Sequence, residues 1–153
     1  MNKWLFNPFL YIAGARALGI GLAAMLLTAV AGYYSNTHFD GVIDVHTGNT
    51  HAPLFVYLLE QLIIWASAVG VFYAASLLFS RSATRFIDIA GTMALARWVA
   101  LFAAIAGFGI HVPKQMSTVA DITNAITGSV IALSVLIIII TICMVALMYN
   151  AFT

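Results

Sequence analysis

The stretch ITNAITGSVIALSVLIIIITICMVALMYNAFT, residues 122–153, contains no Asp, Glu, Lys, Arg or His. A bilayer core about 30 Å thick needs roughly 20 apolar residues for one helical crossing. Inside hydrocarbon a lone segment can satisfy its backbone polar groups only by coiling on itself. This run therefore reads as a transmembrane helix, over about 124–149. Working outward, three more stretches of the same kind are expected as helices over about 14–34, 53–79 and 86–110. Nearly all charge falls in the short segments between them. The chain is 63% hydrophobic and 7% charged, where a soluble domain carries about 25% charged residues. Its mean hydropathy is +1.05. The expected fold is an all-α integral membrane protein, with residues 1–153 forming one four-transmembrane-helix bundle.

Four crossings use most of 153 residues and leave little chain for a soluble catalytic domain. The net charge is +1 and no basic run is present, so nucleic acid is not an expected partner. The single cysteine, Cys143, has no partner for an intrachain disulfide, and C-x-x-C motifs are absent. It is expected to be a small buried packing residue. The apolar stretch after Arg16 runs to Tyr34 without a charge, longer than a signal-peptide core, and reads as a retained first span. Within it Gly14, Ala17 and Gly21, and also Ala15, Gly19 and Ala23, recur at helical spacing, which lets a neighbouring helix approach closely.

Before that span, Met1–Tyr11 carries Lys3, Trp4, Phe6, Phe9 and Tyr11 and is broken by Asn7-Pro8, the pattern of a short interfacial segment. Lys3, Arg16, Arg81 and Arg85 flank one side of the bundle, against Lys114 on the other. By the positive-inside rule both termini and the Arg81–Arg85 turn are expected in the cytoplasm. The connections 35–52 and 114–122 then face outward.

The first outer connection reads His38-Phe-Asp40-Gly-Val-Ile-Asp44-Val-His46, followed by His51. Imidazole and carboxylate together are the ligand set of zinc and other divalent metals. If the segment is extended, His38 with Asp40, and Asp44 with His46, share a face. A turn at Gly41 would fold the pairs toward each other, giving four ligands, with His51 or His111 as extras. The plainer reading is that these side chains bond loop backbone or lipid headgroups. His111 is expected to cap the last carbonyls of the third helix.

Glu60 and Arg97 are charges inside predicted spans, which cost several kcal/mol or so unless paired or functional. Counting 1.5 Å per residue puts their Cα atoms about 10 Å apart in depth, within reach of two long side chains. They are expected to form an intramembrane ion pair that fixes helix register. The functional alternative is a proton or substrate step in a transporter. Asp88, in the first turn of the third helix, complements the positive helix end. Haem ligation is excluded, because no histidine falls in the middle of a predicted span. G-x-S-x-G and G-x-x-x-x-G-K motifs are absent.

Asn7-Pro-Phe9, His38-Phe-Asp-Gly-Val-Ile-Asp44 and Arg85-Phe-Ile-Asp-Ile-Ala-Gly-Thr-Met-Ala-Leu-Ala-Arg97 resemble bacterial members of the Yip family, multi-spanning relatives of Rab-interacting proteins of eukaryotic secretory membranes. The resemblance covers most of the chain. It implies an all-helical membrane fold, a place in the bacterial cytoplasmic (inner) membrane and, by analogy with eukaryotes, partner membrane proteins or small GTPases. It implies no settled activity and no catalytic residues. The family pattern has five crossings, whereas this chain stops after four; a lost fifth helix would leave a face on which helix 4 pairs with another copy.

Three functions are open at this stage. The favoured one is a non-enzymatic scaffold or partner-binding protein whose partners are the lipid bilayer and either a second copy or another membrane protein. The second is a metalloprotein, such as a metal-dependent hydrolase, using His38, Asp40, Asp44 and His46. The third is a small transporter or channel subunit using Glu60 and Arg97.

Overall fold

The structure, a computed structural model, describes residues 11–42, 44–48, 51–79, 85–110 and 126–152. The interfacial segment through Phe9, the basic residues Lys3, Arg81 and Lys114, and His111 lie outside the described residues. Helix α1 spans Gly14–Ser35. A short antiparallel hairpin follows, β1 Thr37–His38 and β2 His46–Thr47, with Thr37 opposite Thr47 and His38 opposite His46. Helix α2 spans Leu54–Phe79. Helix α3, Phe86–Ala96, continues through a 3-10 turn at Arg97–Val99 into α4, Ala100–Gly107. Helix α5 spans Gly128–Phe152. Among the described residues four helical rods are long and apolar enough to cross a membrane, Gly14–Ser35, Leu54–Leu78, Phe86–Gly107 and Gly128–Asn150. At 1.5 Å per residue each runs about 33 Å or more.

The third rod is the centre. Helices α1, α2 and α5 all pack on α3 or α4, and most of that rod is buried while the other three stay largely exposed. Composition explains the layout. The rod's buried side chains are mainly small, including Ala90, Ala94, Ala96, Ala100, Ala103 and Ala104, whereas α5 exposes Ile131, Leu136, Ile138, Ile139 and Ile142. Lipid tails are as apolar as leucine, so helices here gain little from hiding leucine and more from close backbone contact.

Two glycines show how close that contact is. A Cβ added to Gly21 would fall on the backbone of Ala94, and one added to Gly91 would fall on the carbonyl oxygen of Gly14. Of the two small-residue stripes read in α1, Gly21 and Ala17 are buried on α3, whereas Ala15, Gly19 and Ala23 are exposed. Three threonine hydroxyls inside the spans bond along their own helices. Thr28, Thr92 and Thr141 donate to the carbonyls of Ala24, Asp88 and Ile137 at 2.8, 2.8 and 2.9 Å. Trp65 Nε1 donates across to the Ala90 carbonyl at 3.0 Å, tying α2 to α3.

Helix boundaries fall close to those expected, except that the third rod stops at Gly107 and the fourth starts at Gly128 rather than 124. Thr127 begins that helix, its hydroxyl accepting from Val130 N at 3.4 Å. Cys143 corrects an expectation, because it is exposed on α5 rather than buried.

Candidate functional site

The hairpin is seated on one end of the bundle by backbone geometry. Asn36 ends α1 in the left-handed conformation (φ 53°, ψ 39°) and donates its backbone N–H to the Gly32 carbonyl. Asparagine tolerates that conformation better than other residues bearing a Cβ. The reversal lays Thr37 over Gly32 and against Gly107, where an added Cβ would strike the Thr37 carbonyl and hydroxyl respectively. Thr37 and Phe39 are buried, at 0% and 1% exposure, while Asp40 turns outward.

Between these two, His38 faces α2. Its Nδ1 lies 2.7 Å from Glu60 Oε1, and its Nε2 lies 3.1 Å from the Tyr57 hydroxyl. Glu60 Oε2 accepts the Phe39 backbone N–H at 3.0 Å. Tyr57 donates to Asn36 Oδ1 at 2.8 Å, and Asn36 Nδ2 donates to the Gly48 carbonyl. The His38 ring stacks on Tyr57 at 4.5 Å between centroids, and Tyr57 meets Tyr33 edge-on at 5.8 Å.

The protons in this network can be counted. The Gly48 carbonyl can only accept, which orients the Asn36 amide and leaves Oδ1 facing Tyr57. Oδ1 also only accepts, so the tyrosine proton points at it and the tyrosine oxygen accepts from His38 Nε2–H. His38 Nδ1 and Glu60 Oε1 therefore hold one proton between them. Either placement leaves the pair with no net charge, which lowers the cost of holding it partly buried.

The outer face of the hairpin carries the other three proposed ligands. Asp40, Asp44 and His46 each offer an atom within 4.8 Å of the others, and all three are exposed. His46 Nε2 is 3.8 Å from Asp40 Oδ2, and His46 Nδ1 is 3.7 Å from Asp44 Oδ1. The expected four-ligand set is therefore corrected to three. His38 stacks beside His46, with centroids 5.8 Å apart, but both its nitrogens are engaged by Glu60 and Tyr57. His51 packs edge-on to Tyr33 at 6.1 Å instead.

The expected Glu60–Arg97 pair is also corrected. Glu60 turns to the hairpin, and the buried Arg97 donates from Nη2 to Gln61 Oε1 at 2.7 Å. Arg97 reaches the residue next to Glu60, but adjacent helical residues diverge by about 100°. Gln61 lies on the buried stripe Tyr57–Gln61–Ile64–Ala68, and Glu60 does not. Sequence reasoning passed over Asn36, Tyr57 and Gln61. Only Gln61 carried a clear signal, as a lone amide in an apolar run beside Glu60.

Comparison with known proteins finds no matching family model, no matching curated protein and no matching solved structure.

Proposed function

We propose that this chain is a non-enzymatic integral membrane scaffold that presents the Thr37–Thr47 hairpin to a partner protein at one membrane face. The observation that carries the reading is the division of labour in the hairpin. Its inner side is locked to α2 through His38, Glu60 and Phe39 N–H, while Asp40, Asp44 and His46 stand exposed. A rigid, polar, exposed edge loses little conformational freedom on binding, which favours recognition. The resemblance to the Yip family supports a partner-binding role. Arg16 and Arg85 lie at the bundle end opposite the hairpin, which supports cytoplasmic termini and an outward hairpin in a bacterial inner membrane.

The test is a photo-crosslinking residue at position 44, compared with one at the exposed apolar position 139, in native membranes. A discrete protein adduct from position 44 that disappears in Glu60→Ala, with lipid adducts alone from position 139, is the expected result. Lipid adducts alone from both positions would refute the scaffold.

A second reading is favoured by the Asp40–Asp44–His46 cluster, which matches a three-ligand divalent site with room for water or a partner's side chain. A metal there would bridge the hairpin to a ligand rather than hold the fold, since the network under it is complete without one.

A further inference from the structure

We propose that Arg97 and Gln61 form a binding site, inside the membrane span, for one small monovalent anion. Arg97 is 1% exposed and Gln61 2%. Arg97 sits near the middle of the Phe86–Gly107 rod, about 15 Å from either end, too deep for its side chain to reach a headgroup region. A guanidinium stays charged there, and a buried charge without a counter-charge is costly.

The cluster is rich in donors and poor in acceptors. The one bond between the two residues engages the Gln61 carbonyl oxygen, the only acceptor atom either side chain has. What remains is Arg97 Nε, Arg97 Nη1 and Gln61 Nε2, all buried and all without a hydrogen-bond partner. Gln61 therefore enlarges the donor set without offsetting the charge.

The chain's own carboxylates do not fill the gap among the described residues. The sequence contains five acidic residues. Asp40, Asp44 and Glu60 belong to the hairpin and its seat. Asp88 lies in the first turn of α3, nine residues and about 14 Å along the helix. Asp121 lies outside the described residues. Water would satisfy the nitrogen atoms but not the charge. A compact anion of halide or formate size answers both demands. The 3-10 turn at Arg97–Val99 falls at this level of the rod, a feature often found at functional positions within helices.

The experiment follows thermal unfolding of the full chain in detergent, in sodium chloride and sodium formate against sodium gluconate at equal ionic strength. Mass action predicts a rise in Tm that grows with the logarithm of small-anion concentration and reaches about 4 °C at ten times Kd. The rise should vanish in Arg97→Gln and need a several-fold higher anion concentration in Gln61→Leu. Chloride-35 line broadening by the parent protein, reduced in Gln61→Leu, reads binding directly. A parent Tm indifferent to the anion would overturn the proposal, as would an equal response in Arg97→Gln. Should Arg97→Gln fail to fold, an unchanged dependence of Tm on anion concentration in Gln61→Leu overturns it alone. If Asp121→Asn lowers Tm as Arg97→Gln does and gains an anion response that the parent lacks, the counter-charge is the chain's own and the proposal falls.

Discussion

Double-mutant cycles on Glu60 distinguish its partner in the structure from the partner suggested by depth alone. Replacing Glu60 with Ala removes two hydrogen bonds at its carboxyl group, the one shared with His38 and the one from the buried Phe39 N–H. Bonds to charged groups contribute about 1.5–3 kcal/mol each in soluble proteins, but interhelical ones in membranes average nearer 0.6 kcal/mol. Each of the two side chains is 14% exposed, which places the pair between these limits. Glu60→Ala should therefore cost about 2–4 kcal/mol, part of it from stranding Phe39 N–H. The His38–Glu60 coupling energy should be about 1–2 kcal/mol, and the Arg97–Gln61 coupling similar. Glu60 and Arg97 share no partner, so their effects should add within about 0.5 kcal/mol. Equilibrium unfolding in mixed micelles of mild detergent and dodecyl sulfate measures all three cycles. A Glu60–Arg97 coupling above about 1 kcal/mol, with His38–Glu60 near zero, would refute the assignment.

Two other expectations are simpler. Gly21→Leu should destabilise by about 3 kcal/mol or block folding, because its Cβ meets backbone; Gly19→Leu, with nothing within 4 Å, should stay within about 0.5 kcal/mol in the same unfolding assay. If the exposed cluster binds zinc, calorimetric titration should show Asp44→Ala weakening affinity by about tenfold or more. His38→Ala should change that affinity far less, because both nitrogens of His38 are engaged elsewhere.

What the sequence revealed and what it hid divide along one physical line. Span positions were legible because crossing a bilayer sets a length of apolar chain, and α1 and α2 begin and end within a residue of expectation. The hairpin was legible in outline, since Gly41 sits between the two arms, yet alternation failed to group its ligands. The ladder is only two residues long on each side, so Asp40 leaves it at once and His38 alone turns to α2. Rotation about the helix axis was the larger loss. Helix α2 is apolar on every side, so no moment betrays which face packs, and depth alone paired Glu60 with Arg97.

Helix α1 shows that some phase information was nevertheless present. Its two small-residue stripes look alike for two turns, as Gly14, Ala17, Gly21 against Ala15, Gly19, Ala23. Followed further, the first continues through Met25, Thr28 and Gly32, all buried. The second runs into Leu26 and Leu27, both exposed, and on to Tyr34 at 68% exposure. A helix that packs by backbone approach must keep small or hydroxyl side chains along most of its contact face, and only the first stripe does. Gly32 on that face is also where the Thr37 carbonyl rests, so the same stripe that docks α1 on α3 fixes where the hairpin leaves the bundle. Helix rotation and hairpin placement are thus one constraint, written in small residues over five turns rather than in any polar motif.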